Sequence, residues 1–169
     1  MGYVHDEHMS KFIHPGAFEM SAGTWAITEA SNVVSNDRTA ADASVTVLIP
    51  IPIPSNSKTA KGAKLASIDV AYLIDTAAAD DFATVELEKV TIGADNVAAS
   101  GEAVDITMDA DHDAAAERKA ADDHTMTVTI DDPEFLDDAE AYWLKLIIDC
   151  AATTVLKFYG AVAHYTLRV

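Results

Sequence analysis

The stretch "DADHD" makes the most specific chemical suggestion in the sequence. Asp109, Asp111 and Asp113 fall at alternate positions, as at the opening of a calcium loop, where hard oxygen ligands surround a hard cation. The rest of such a loop is missing. Its sixth position is Ala114 where glycine is expected, and its twelfth is Ala120 where a bidentate glutamate is expected. The leading reading is a solvated acidic loop and no cofactor. Calcium at these three aspartates is the alternative.

Other chemistry-bearing clusters are weaker. In "HDEH", His5 and His8 are three apart, which is not the helical spacing of a zinc protease. His112, His124 and His164 are scattered, with no meaningful Ser/His/Asp order among them. In "DDPEFLDD", residues 131–138, paired acids flank a proline turn, and Phe135 with Leu136 reads as an anchor pinning that loop. Cys150 lies in the apolar run "LKLIIDCAA" and reads as a small buried side chain. Trp25 and Trp143 could form a sugar platform, though half-buried tryptophans are common in β-sandwiches. There is no glycine-rich phosphate loop, no CxxC pair and no basic stripe. No catalytic constellation emerges, so the expectation is a protein that is not an enzyme.

The elements that carry these residues must come from one ordinary domain of 169 residues. With 28 acidic and 11 basic groups the formal net charge is −17, a surface that repels phosphate and anionic membranes. Neither nucleic acid nor membrane is expected as a partner. A single cysteine rules out an intramolecular disulfide. The N-terminus has no apolar core of a signal peptide, and no run approaches the length of a membrane span. The chain is therefore expected to be made in the cytoplasm without a signal peptide.

Residues 1–22 lack a clean period and read as an N-terminal arm, with Phe12, Ile13 and Phe18 as apolar groups free for a partner. From residue 23 onward the signals are β signals. Eight strands are expected, at 24–30, 44–51, 65–74, 83–92, 103–109, 125–131, 142–149 and 155–169. Ile68, Val70, Tyr72 and Ile74 share one parity, with Asp69 and Ala71 between the first three, and Met126, Val128 and Ile130 alternate with threonines. The phase slips at Glu88–Lys89, which predicts a β-bulge, and near Gly160, which predicts a bend. "DHDAAAERKAADDH" has helical propensity without an apolar stripe and reads as a loop insertion with a short surface helix. The fold class is all-β: an antiparallel two-sheet β-sandwich, jelly-roll-like, of about eight strands.

"IPIPIP", residues 49–54, raises a question of its own. Strand parity sets both the face of a side chain and the edge toward which its N–H points. Pro50, Pro52 and Pro54 share one parity, so their missing N–H groups fall on one edge, while Ile49, Ile51 and Ile53 can pair on the other. Such a strand joins a sheet on one side and blocks strand addition on the other. An extended, polyproline-like segment lying on a neighbour is the alternative.

The strand "AYWLKLII" followed by "LKFYGAVAHYT", with the upstream "IPIPIP" and "GAKLASIDVAYLID", resembles a layout in β-sandwich proteins of bacteriophage particles and related bacterial surface proteins. The likeness spans roughly residues 44–169. It implies a virion protein, of the capsid decoration (cement) or tail-fibre-tip type. The leading expectation is a homotrimer on the capsid exterior, binding the major capsid protein through Phe12, Ile13, Phe18, Pro50, Pro52 and Pro54. The alternative is a receptor- or carbohydrate-binding tail-fibre-tip or adhesin module.

Overall fold

The computed structural model describes residues 5–55, 61–93 and 98–168. The strands are β1 (Asp6–Ile13), β2 (Glu19–Met20), β3 (Trp25–Ala30), β4 (Val33–Arg38), β5 (Ala43–Ile51), β6 (Lys61–Asp75), β7 (Asp81–Thr91), β8 (Ser100–Val104), β9 (Ile106–Met108), β10 (Asp123–Ile130), β11 (Glu140–Cys150) and β12 (Val155–Arg168). A short helix, α1 (Ala115–Arg118), sits in the acidic insertion, as the sequence suggests. One sheet runs β3-β4-β12-β6-β10-β9, with β1 also on β12. The other runs β2-β5-β11-β7-β8. Every pairing is antiparallel, so the expected two-sheet sandwich forms.

Alternation drives the assembly. Val45, Val47, Ile49 and Ile51 of β5 and Leu144, Leu146 and Ile148 of β11 face inward and are buried. They meet Ile68, Val70, Tyr72 and Ile74 of β6 and Met126 and Val128 of β10. Each such side chain contributes roughly 1.5–3 kcal/mol by leaving water. Aromatic rings fill one part of the core: Phe18 packs edge-on to Phe158 at 5.6 Å, and Tyr72 meets Phe82 at 5.6 Å.

There are twelve strands among the described residues, rather than eight. The expected strand at 103–109 is two, because the chain changes sheets at Asp105: β8 pairs with β7 and β9 with β10. β2 and β4 were not expected, and neither was β1. Residues 6–12 of β1 are exposed on both faces, so no buried face imposes a period of two. The first four residues of the N-terminal arm, and Val169 of the last strand, lie outside the described residues.

The predicted bend is present. Tyr159 is the extra residue where the β12–β6 register shifts between Phe158 and Gly160, and Gly160 has φ +131°. Inward parity passes there from Leu156 and Phe158 to Ala161, Ala163 and Tyr165. The bulge expected at Glu88–Lys89 lies elsewhere. Register with β11 is continuous from Thr84 to Thr91, and it shifts where Ile147 and Asp149 face Thr84 and Asp81. Ile92 accordingly stays outside, 69 % exposed.

The proline strand follows the expectation only in part: β5 ends at Ile51, so Ile53 does not pair with β11, and β2 adds to the edge that Pro50 faces. Thr46 exchanges hydrogen bonds with Ser21 beside β2, so even-numbered positions of β5 face that edge. β2 pairs only with Val47 and Leu48, and Pro50 blunts the edge just beyond it. The odd-numbered side pairs with β11 through Ile51. The strand then ends: Ile53 N–H bonds the Ile51 carbonyl around Pro52, and the Pro54 carbonyl accepts from Ala63 as the chain enters the other sheet.

Candidate functional site

The residues singled out from sequence do not converge. Asp109 takes three partners inside the chain: Oδ1 accepts from the Asp111 N–H at 3.1 Å and lies 2.7 Å from His112 Nδ1, while Oδ2 accepts from the Thr127 N–H at 2.6 Å. Burial acts to raise the Asp109 carboxyl, but these donors outweigh it and hold it below the ordinary carboxylate value. Among the described residues no three His, Cys, Asp or Glu side chains gather as a metal site. The loop is tied down by Arg118, only 3 % exposed, whose guanidinium donates to the carbonyls of Phe82, Ala83, His112 and Asp113.

The partner-facing trio also divides. Ile13 and Phe18 are 3 % and 6 % exposed, in this chain's own core, which corrects the expectation that they are free. Phe12 is 58 % exposed. Of the prolines, Pro50 lies within β5, and Pro52 and Pro54 lie beyond its end. Trp25 packs on Phe158 and bonds the Ala22 carbonyl, while Trp143 points outward from β11 between Pro50 and Glu88. Phe135 lies between Lys64 and Arg168, and Leu136 is buried, so this pair anchors its loop as expected. Burial of Cys150 pushes its thiol up, away from thiolate reactivity.

What the sequence did not show is the outer face of the seven-stranded sheet. β3 and β4 form a hairpin through Ser31 and Asn32, both with positive φ. Only Asn36–Arg38 of this hairpin pair with β12, and β1 takes the same edge of β12 from Ala161 onward. A groove of ≈ 350 Å³ opens along the hairpin, lined by Thr28, Val33, Ser35, Asp37, Lys157 and Tyr159. A second of ≈ 270 Å³ is lined by Phe12, Asp69, Thr125, Tyr159 and Val162. The bulged Tyr159 is common to both.

Each groove holds one carboxylate braced by side-chain donors. Asp37 Oδ1 accepts from Ser35 Oγ at 2.5 Å and Oδ2 from Thr28 Oγ1 at 2.8 Å, with Lys157 Nζ 3.8 Å from Oδ2. Asp69 Oδ1 accepts from Thr127 Oγ1 at 2.7 Å, and Oδ2 lies 2.9 Å from His164 Nε2. Cross-strand register makes these clusters: Ser35 opposes Thr28, and Thr127 opposes Asp69. Burial, reinforced by the carboxylates of Asp123, Asp37 and Asp75, pushes the Tyr159 phenol up, so it keeps its proton and can donate.

No protein-family model matches the chain, and no curated protein matches it. Solved structures do. One is the enzymatically active domain of tailspike protein 4 from bacteriophage CBA120, at 6% identity and TM-score 0.40, over 89% of this chain and 20% of that one. The chain thus spans 20% of that tailspike domain's length. Another is a carbohydrate esterase from the Shiga toxin-encoding bacteriophage phi24B, at 13% identity and TM-score 0.37, over 88% and 89% of the two chains. A third is the family 11 carbohydrate-binding module from Clostridium thermocellum, at 8% identity and TM-score 0.31, over 97% and 87%. The expectation that the chain is not an enzyme is withdrawn on this finding, since two of the three are an enzymatically active domain and an esterase.

Proposed function

We propose that the chain is a receptor- or carbohydrate-binding module of a virion surface, and that it binds through the outer face of the seven-stranded sheet. The observation that carries this reading is the pair of adjoining grooves sharing Tyr159, each with a braced carboxylate. Together they reach the size range of small-ligand sites. They combine aromatic surface at Phe12 and Tyr159 with hydrogen-bonding groups at Asp37, Asp69 and Thr125. Rigid strands hold these groups, which favours a preformed site. Panels of glycans and host-cell envelopes test the reading: wild type is expected to bind and Tyr159→Ala to lose binding. Binding that Tyr159→Ala leaves intact overturns it.

A second reading, capsid decoration by a homotrimer, is favoured by the blunted edge of β5 at Pro50, which suits chains crowded on one surface. It predicts a particle of three chain masses by light scattering and co-sedimentation with capsids bearing the major capsid protein. A monomer that stays in the supernatant contradicts it.

A further inference from the structure

We propose that the ligand of this face is an uncharged, hydroxyl-rich glycan rather than an acidic one, held across both grooves with Tyr159 between its sugar units. This inference rests on the binding-face reading and names its ligand class.

Donor and acceptor capacity decide it. An ionised carboxylate only accepts, and its two oxygens offer about four lone-pair sites. Asp37 has one hydroxyl on each oxygen, from Ser35 and Thr28. Asp69 has Thr127 on one oxygen and His164 on the other. Each carboxylate therefore keeps about two acceptor sites, one per oxygen, in the paired geometry that two neighbouring sugar hydroxyls match. The face asks for a ligand that donates. Thr125 and Tyr159 add hydroxyls that can do either.

Charge points the same way. A carboxylate or phosphate on the ligand would meet Asp37 and Asp69 directly, with the Asp75 and Asp123 carboxylates also acting on Tyr159 between them. The cation on the groove wall, Lys157, already lies 3.8 Å from Asp37. The whole chain carries −17. An anionic ligand would be repelled at long range and would face the Asp37 and Asp69 carboxylates at contact, whereas a neutral sugar meets neither penalty. Phe12 and Tyr159 supply the apolar surface on which sugar C–H faces settle.

Affinity electrophoresis of the full chain tests this, in gels containing neutral polysaccharides (dextran, mannan, galactan) or acidic ones (polygalacturonate, polysialic acid). The expected result is retardation by a neutral polymer, none by the acidic polymers, and no change as salt rises to about 0.5 M. Tyr159→Ala, Asp37→Asn and Asp69→Asn are expected to weaken retardation by about tenfold or more. Trp143→Ala, on the opposite sheet, is expected to leave it unchanged. Melting curves of each variant separate lost binding from lost fold. Retardation by acidic polymers alone, abolished by Tyr159→Ala, overturns the ligand class and leaves the binding face standing. Retardation by none of the polymers overturns both, as does neutral binding lost only in Trp143→Ala.

Discussion

Gly160 sits directly against Ile13. A side-chain carbon built on Gly160 would lie 2.8 Å from the Ile13 carbonyl oxygen and 2.8 Å from the Phe12 ring, and its φ of +131° disfavours any residue with a side chain. This close approach lets β1 follow β12 while the bulge turns Tyr159 outward. Gly160→Ala is therefore expected to cost about 1–3 kcal/mol, from backbone strain and displacement of Ile13. A fall in the urea midpoint together with weakened ligand binding checks this. An unchanged midpoint would mean the bulge is not under this constraint.

Arg118 holds the acidic insertion. Its guanidinium satisfies the carbonyls of Phe82, Ala83, His112 and Asp113, and the Arg118 carbonyl accepts from Tyr72 Oη at 2.9 Å. Arg118→Met removes the donors and leaves buried acceptors without partners, at roughly 1–3 kcal/mol for each one left dry. Limited proteolysis should cut between Asp111 and Asp122 in the variant before the rest of the chain unfolds.

Asp109 gives the insertion an acid-sensitive support. Its carboxyl is held below the ordinary value, so its stabilisation is complete above about pH 4, the unfolded value, and is lost as pH falls through the lower folded value. Asp109→Asn is expected to cost about 1–3 kcal/mol at neutral pH. The gap from wild type should close in acid, as the wild-type carboxyl takes up its proton. Urea titrations at a series of pH values check this, and a gap that widens toward acid contradicts the sign.

The edge of β5 is protected by chemistry that a two-residue change can undo. Pro50→Thr restores an N–H on the side beyond β2, and Pro52→Thr releases the turn that ends the strand. The double variant is expected to form larger assemblies by edge pairing, seen as a rise in mass by light scattering at unchanged melting temperature. A mass equal to wild type contradicts the role assigned to these prolines.

Where a buried face imposed alternation, the sequence could be read directly: β5, β6, β10 and β11 lie where their Val, Ile, Leu and Met spacing places them. Parity alone also located the blunted edge and the Gly160 bend. β1 escaped because both its faces meet solvent, and the break at Asp105 escaped because a change of sheet leaves the local pattern intact. The candidate site was invisible for a different reason. Asp37, Asp69, Thr127 and Tyr159 come from four strands far apart in the chain and meet only through cross-strand register. A metal loop, by contrast, announces itself by local spacing, and "DADHD" did so while its first carboxylate served the backbone of Thr127 instead.

Ligand is expected on the outer face of the seven-stranded sheet. Amide chemical-shift mapping of the isotope-labelled chain, titrated with dextran, mannan and galactan oligosaccharides, tests it most directly. Shifts are expected to cluster at Thr28, Ser35, Asp37, Asp69, Thr125 and Tyr159 and to saturate together. Shifts confined to the opposite sheet around Trp143 and Lys145, or none with any of the three, would contradict it.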